Sequence, residues 1–101
     1  EIDVGIGGEV AVSVGHYLQR LSEYKQILCI THLASIAVRA DNHIKVEKHE
    51  SNGRTVTNVM TIQGKERVEE IARMLAGDRR ASASLSHANE LLSKYTRSKE
   101  K

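Results

Sequence analysis

Residues 27–32 read Ile-Leu-Cys-Ile-Thr-His, and this hexapeptide constrains the fold more than any other stretch of the chain. Four consecutive apolar side chains suit a short strand buried on both faces, as in the interior of a parallel sheet. The run ends in a hydroxyl and an imidazole at the carboxyl end of that strand. Ligands of open α/β sheets bind there, which makes His32 the first candidate functional residue. A histidine at a strand end also serves as a plain cap or a loop hydrogen bonder, and the hexapeptide alone leaves both readings open.

A parallel strand needs a crossover, and the residues upstream supply one. Val10, Val14, Leu18 and Leu21 recur at helical spacing, flanked by Ala11 and Tyr17, and predict a helix over residues 9–23. Gly15 lies inside it, where glycine costs about 1 kcal/mol against alanine. Close packing against a neighbour is the expected reason for keeping it. Before this helix, residues 1–8 read Glu-Ile-Asp-Val-Gly-Ile-Gly-Gly: two carboxylates two positions apart, then three glycines in four. That pattern describes a strand end running into a tight loop whose backbone can approach another surface. It matches neither GxGxxG nor GxxxxGK[ST], so it predicts no dinucleotide or phosphate loop. Strand, helix and strand together make a right-handed βαβ unit.

Downstream the pattern changes. Residues 33–40 suit a short helix. Residues 43–50 alternate Ile44 and Val46 with Lys45 and Glu47 and predict a strand. Ser51-Asn52-Gly53 marks a turn, because Asn-Gly accepts the positive φ values of tight hairpins, and residues 55–62 form the return strand. Two amphipathic helices follow. Residues 65–75 bury Val68, Ile71, Ala72 and Leu75, with Glu69 and Arg73 paired at i, i+4 and Gly77 as the stop. Residues 84–95 use Leu85, Ala88, Leu92 and Tyr95. Between them lies a polar loop opening on Arg79-Arg80, and residues 96–101 form a charged tail.

Composition limits what this plan can become. With 101 residues, three Tyr, and no Phe, Trp or Pro, a single core must be built from small and aliphatic side chains. The one cysteine, Cys29, falls inside the apolar strand and is expected as a reduced, buried thiol in a cytoplasmic protein. No apolar run approaches the roughly 20 residues that span a bilayer, so no membrane partner is expected. Residues 1–50 carry a net charge of −2 and residues 51–101 one of +4. That imbalance permits nucleic-acid contact, but the scarcity of aromatics argues against a base-stacking platform. Asp41 and His43 read as solvated, flanking a loop. His16, His43, His49 and His87 lack metal-ligand spacing, and no metal site is expected. The chain begins without an initiator Met, which reads as an excised piece of something longer.

An acidic strand end at Glu1 and a strand ending in Thr31-His32 one helix later resemble the second half of an ABC-type ATPase head. The motif at residues 1–8 resembles more specifically the RecN family, the SMC-like ATPases of bacterial double-strand-break repair. Residues 28–33, Leu-Cys-Ile-Thr-His-Leu, resemble the switch-histidine strand of that family, and residues 67–75 and 86–92 resemble its closing helices. The resemblance implies an α/β fold: the C-terminal half of a P-loop (ABC/SMC-like) ATPase head, with a parallel βαβ unit followed by an antiparallel hairpin and C-terminal helices. Residues 1–95 would be that portion of the head. By the same resemblance Glu1 is the catalytic glutamate that orients the attacking water, and His32 contacts the γ-phosphate and senses its loss. The loop holding Asp3, Gly5, Gly7 and Gly8 meets a second head across the dimer interface. ATP and Mg2+ would be cofactors of the parent protein, and a second head and DNA its partners, in a cytoplasmic, nucleoid-associated setting tied to recombination and the SOS response.

The departures are equally informative. The carboxylate expected just before Glu1, the phosphate-binding loop with its lysine, the signature motif and the coiled coil do not occur in the chain, and Ala34 stands where the family usually has proline. The piece alone is therefore expected neither to bind nor to hydrolyse ATP, and an exposed sheet edge is expected to make it self-associate. Two other readings compete: a different SMC- or ABC-like head, which the Val-Gly-Ile-Gly-Gly loop disfavours, and a non-catalytic nucleic-acid-binding or interaction module using the basic second half.

Overall fold

The computed structural model describes residues 8–76 and 82–96. Their elements run α1 (Gly8–Leu21), α2 (Ala34–Ala37), β1 (His43–Ser51), β2 (Arg54–Ile62), α3 (Lys65–Ala76) and α4 (Ser82–Tyr95). The α/β character, the hairpin and the closing helices agree with the sequence reading. The parallel unit does not. Among the described residues the only sheet is the two-stranded antiparallel pair β1–β2, and residues 26–31 adopt no regular secondary structure. Leu28 is 84% exposed and Ile30 70%. A strand buried on both faces exists only if a sheet lies beside it and layers lie above and below, and the described residues supply neither. The expected partner strand, in residues 1–8, falls almost wholly outside the described residues. Cys29, expected buried, is accordingly half-buried.

The core sits among α2, α3 and α4. Ala34, Ala37, Val38, Ile71, Ala72 and Ala88 are buried together, with Val68, Met74, Leu75, Leu85, Leu91, Leu92 and Tyr95 packed around them. The stripes expected on the two closing helices are the ones that pack. On α1 the buried line shifts by one residue: Ala11 and Gly15 are buried, whereas Val10 and Tyr17 are exposed. Gly15 explains the shift. A Cβ there would stand 3.1 Å from the Arg39 Cδ and 3.1 Å from the Ser35 carbonyl oxygen, so α1 meets α2 through its smallest residues. The close packing expected at Gly15 is therefore present.

The turn chemistry acts as expected. Asn52 (φ 53°) and Gly53 (φ 76°) take the left-handed conformation and close a two-residue loop between Ser51 and Arg54, with the ladder running to His43 opposite Ile62. One face of this ribbon carries Ile44, Val46 and Val59, all exposed. The other carries His43, Lys45 and Glu47, all half-buried. The inward face thus combines the charged row of β1 with Met60 and the buried Ile62 of β2, while Ile44, Val46 and Val59 face outward.

Candidate functional site

Of the residues singled out from sequence, Glu1, Asp3, Gly5 and Gly7 lie outside the described residues. Gly8 opens α1 and is exposed. His32 lies at a bend between residues 26–31 and α2, and its side chain is exposed. Local chemistry sets that bend: the Thr31 hydroxyl oxygen accepts a hydrogen bond from the Leu33 N–H at 3.0 Å, a serine/threonine-type turn. Leu33 then caps α2, its carbonyl accepting from the N–H groups of Ile36 and Ala37 at 3.1 Å. Ala34 continues into this turn without strain and is buried, so the proline of the resembled family is not needed to start α2. The threonine turns the backbone, and the imidazole is left on the surface where a group bound from outside can reach it.

Two polar clusters lie beyond α2, and neither was read from sequence. The first centres on Arg39, just after α2. Its guanidinium lies over the Tyr95 ring at 4.3 Å and donates to the Gln19 side-chain oxygen at 3.0 Å. The Gln19 amide in turn donates to the Tyr95 carbonyl at 2.8 Å and the Arg39 carbonyl at 3.3 Å. α1, the segment after α2, and the end of α4 are thereby tied at one point. Thr96 adds a hydroxyl donated to the Val38 carbonyl at 2.7 Å.

The second cluster lies between the hairpin and α3. Arg67 is buried and donates to the carbonyls of Ala37 (3.1 Å) and Ala40 (2.8 Å), the Ala37 carbonyl also accepting the Ala40 N–H at 3.1 Å. Burial holds its guanidinium below the usual arginine range, and Asp41 partly offsets this. Glu70 is also buried and receives both Nε (2.9 Å) and Nη2 (2.6 Å) of Arg73, with the Lys45 ammonium at 3.6 Å. Burial alone would raise its carboxyl, but the Arg73 hydrogen bonds and the charges of Arg73 and Lys45 outweigh that and hold it below the usual value. Arg73 thus pairs with Glu70 at i, i+3 rather than with Glu69. Asp41 engages Arg67 electrostatically, and His43 is half-buried rather than solvated; burial first, then Arg67 and Lys45, push its imidazole below the usual histidine value. The signal for both clusters was faint: lone arginines within helical patterns, and a histidine opening a strand.

Among the described residues no group of three or more His, Cys, Asp or Glu side chains is placed to hold a metal ion, and no helix is long and apolar enough to cross a membrane. No protein-family model matches the chain. Curated relatives do. The chain is 56% identical over 92 residues to the DNA repair protein RecN of Treponema pallidum, covering 91% of this chain and 16% of that protein. It is 53% identical over 92 residues to the DNA repair protein RecN of Deinococcus radiodurans, again 91% of this chain and 16% of that protein. The DNA repair protein RecN of Bacillus subtilis shares 40% over 92 residues, with the same coverage of each chain. The chain therefore spans about a sixth of the length of the curated relatives it matches.

Proposed function

We propose, from the premise that this chain is similar to RecN-type DNA repair proteins along nine-tenths of its length, that it contributes to a DNA repair ATPase. The reading is that it forms the closing part of an ATP-hydrolysing head. The observation that carries it is the 56% identity over 92 residues to a protein of that name. Two features of the chain support the assignment: the acidic, glycine-rich start at residues 1–8 and the exposed imidazole of His32 on its threonine-set bend.

Phosphoryl transfer depends on positioning and on stabilising charge more than on covalent chemistry. In this reading the Glu1 carboxylate orients the attacking water, and His32 donates a hydrogen bond to the terminal phosphate, so that loss of that phosphate is felt at the bend before α2. At the far end of α2, Arg39 ties the chain to Gln19 of α1 and Tyr95 of α4. ATP with Mg2+ supplies the transferable phosphoryl group and the counter-charge. The chain has no lysine-bearing phosphate loop, so other parts of a RecN-length protein would hold the nucleotide. The segment with Asp3, Gly5, Gly7 and Gly8 would meet a second head, its glycines allowing close backbone approach.

The test is a RecN-length protein carrying Glu1→Gln. Hydrolysis should fall by about 10²-fold or more, while ATP-dependent association of the heads persists, because the amide keeps the shape and loses only the charge that orients water. Unchanged turnover would overturn the assignment. Binding of duplex DNA by the 101-residue chain, with steep salt dependence, would instead favour a nucleic-acid-binding module.

A further inference from the structure

The underside of the hairpin is where the structure departs furthest from an ordinary amphipathic ribbon. β1 sends His43, Lys45 and Glu47 toward α3, and α3 answers with Arg67, Glu70 and Arg73. Lys45 bridges the two elements, with its ammonium 3.0 Å from Glu47 and 3.6 Å from Glu70. With His43 neutral the cluster balances: Lys45, Arg67 and Arg73 against Asp41, Glu47 and Glu70. His43 itself faces Lys45 from β1 and Arg67 and Glu70 from α3. Opposite it in the ladder stands Ile62, which is apolar and buried. Its Nδ1 is buried and has no hydrogen-bond partner among the described residues.

We propose that the hairpin is held on α3 by a proton-sensitive clasp, released when His43 takes up a proton. Protonation places an N–H on both ring nitrogens, so Nδ1 would carry a donor with no acceptor in reach. It also adds a fourth positive charge to a balanced cluster in which Glu70, already shared by Arg73 and Lys45, is the carboxylate that faces the ring. Both effects act across the hairpin–α3 boundary and neither touches the β1–β2 ladder. The hairpin should therefore swing away as a unit, intact. The sign follows from the direction of the shift. Because the surroundings favour the neutral imidazole, the clasp is at full strength above the ordinary histidine value of about 6.5 and weakens as the pH falls below it. The inference goes beyond the ATPase reading and does not depend on it.

The test places donor and acceptor dyes on Thr57→Cys in the hairpin and Ser86→Cys on α4 of the 101-residue chain, in a Cys29→Ser background. Energy transfer should show one state at pH 8 and a second, lower-efficiency state on acidification, with its midpoint below about 6.5 and unchanged far-ultraviolet circular dichroism. His43→Gln, which cannot titrate, should stay in the first state throughout. Opening of His43→Gln together with the parent, no opening between pH 8 and 5, or loss of helix signal along with transfer would each overturn the proposal. Should His43→Gln fail to fold, the ring titration of His43 read by NMR in the parent decides. Its midpoint must coincide with that of the energy-transfer change, and separation of the two overturns the clasp.

Discussion

The helical half and the hairpin solve the same problem in opposite ways. In the helical half, α2, α3 and α4 approach closely because alanines and one valine line the contact, and Ile71 fills the centre at 0% exposure. Its polar side chains bond backbone at and just beyond helix ends: Arg67 to the Ala37 and Ala40 carbonyls and Gln19 to the Tyr95 carbonyl. In the hairpin the charged row of β1 faces inward beside Met60 and the buried Ile62 of β2, while Ile44, Val46 and Val59 face outward, so part of what holds it to the rest is a charged contact. Its own stability rests on the ladder and the Asn52-Gly53 turn. The contrast teaches that the helical contact is non-directional and hard to switch, whereas a charged contact depends on protonation and salt.

The largest expected effect breaks the helical side of this comparison. Ile71→Ala should lower unfolding stability by about 3 kcal/mol, the transfer cost plus that of a cavity, read as an earlier denaturant midpoint. A loss below about 1 kcal/mol would mean that α3 and α4 are not joined through this residue. Gly53→Ala comes next. Forcing a Cβ into φ 76° should cost about 1–2 kcal/mol. Amide exchange should rise along β1 and β2 and stay unchanged in α4 if the two regions are energetically separate. Equal loss of protection in α4 would show them coupled. The smallest effect sharpens the hairpin side: Val46→Thr, on a position 60% exposed, should change stability by no more than about 0.5 kcal/mol. A larger loss would mean that this face is covered in solution.

Much of this plan was legible in the sequence, for reasons that are local. Asn52-Gly53 dictates a two-residue hairpin because few dipeptides accept two positive φ values. The stripes of α3 and α4 follow from helical spacing, and the interior Gly15 signals a close approach before the neighbour is known. Thr31-His32 reads as the carboxyl end of a buried strand, but residues 26–31 form no strand, and the pair instead makes an exposed bend set by the threonine hydroxyl. Assignment of Glu1, Asp3, Gly5 and Gly7 came from resemblance alone, since isolated carboxylates and glycines carry no chemistry until a fold gathers them.

What the tertiary structure alone decided is every feature that depends on two distant segments meeting. Whether residues 27–30 form a strand depends on neighbours to pair with, and four apolar residues cannot supply their own. Which row of the hairpin faces inward depends on what lies across from it: on that face Ile62 is buried and Lys45 reaches Glu70 of α3. Arg73 pairs with Glu70 rather than Glu69 because Glu70 is the carboxylate on the covered side, where a charge must find a partner. Local sequence determines φ, ψ and periodicity through sterics that act over a few residues. Burial and charge pairing are settled only when the chain folds back on itself, because the cost of a buried charge or an exposed strand depends on what lies across the gap.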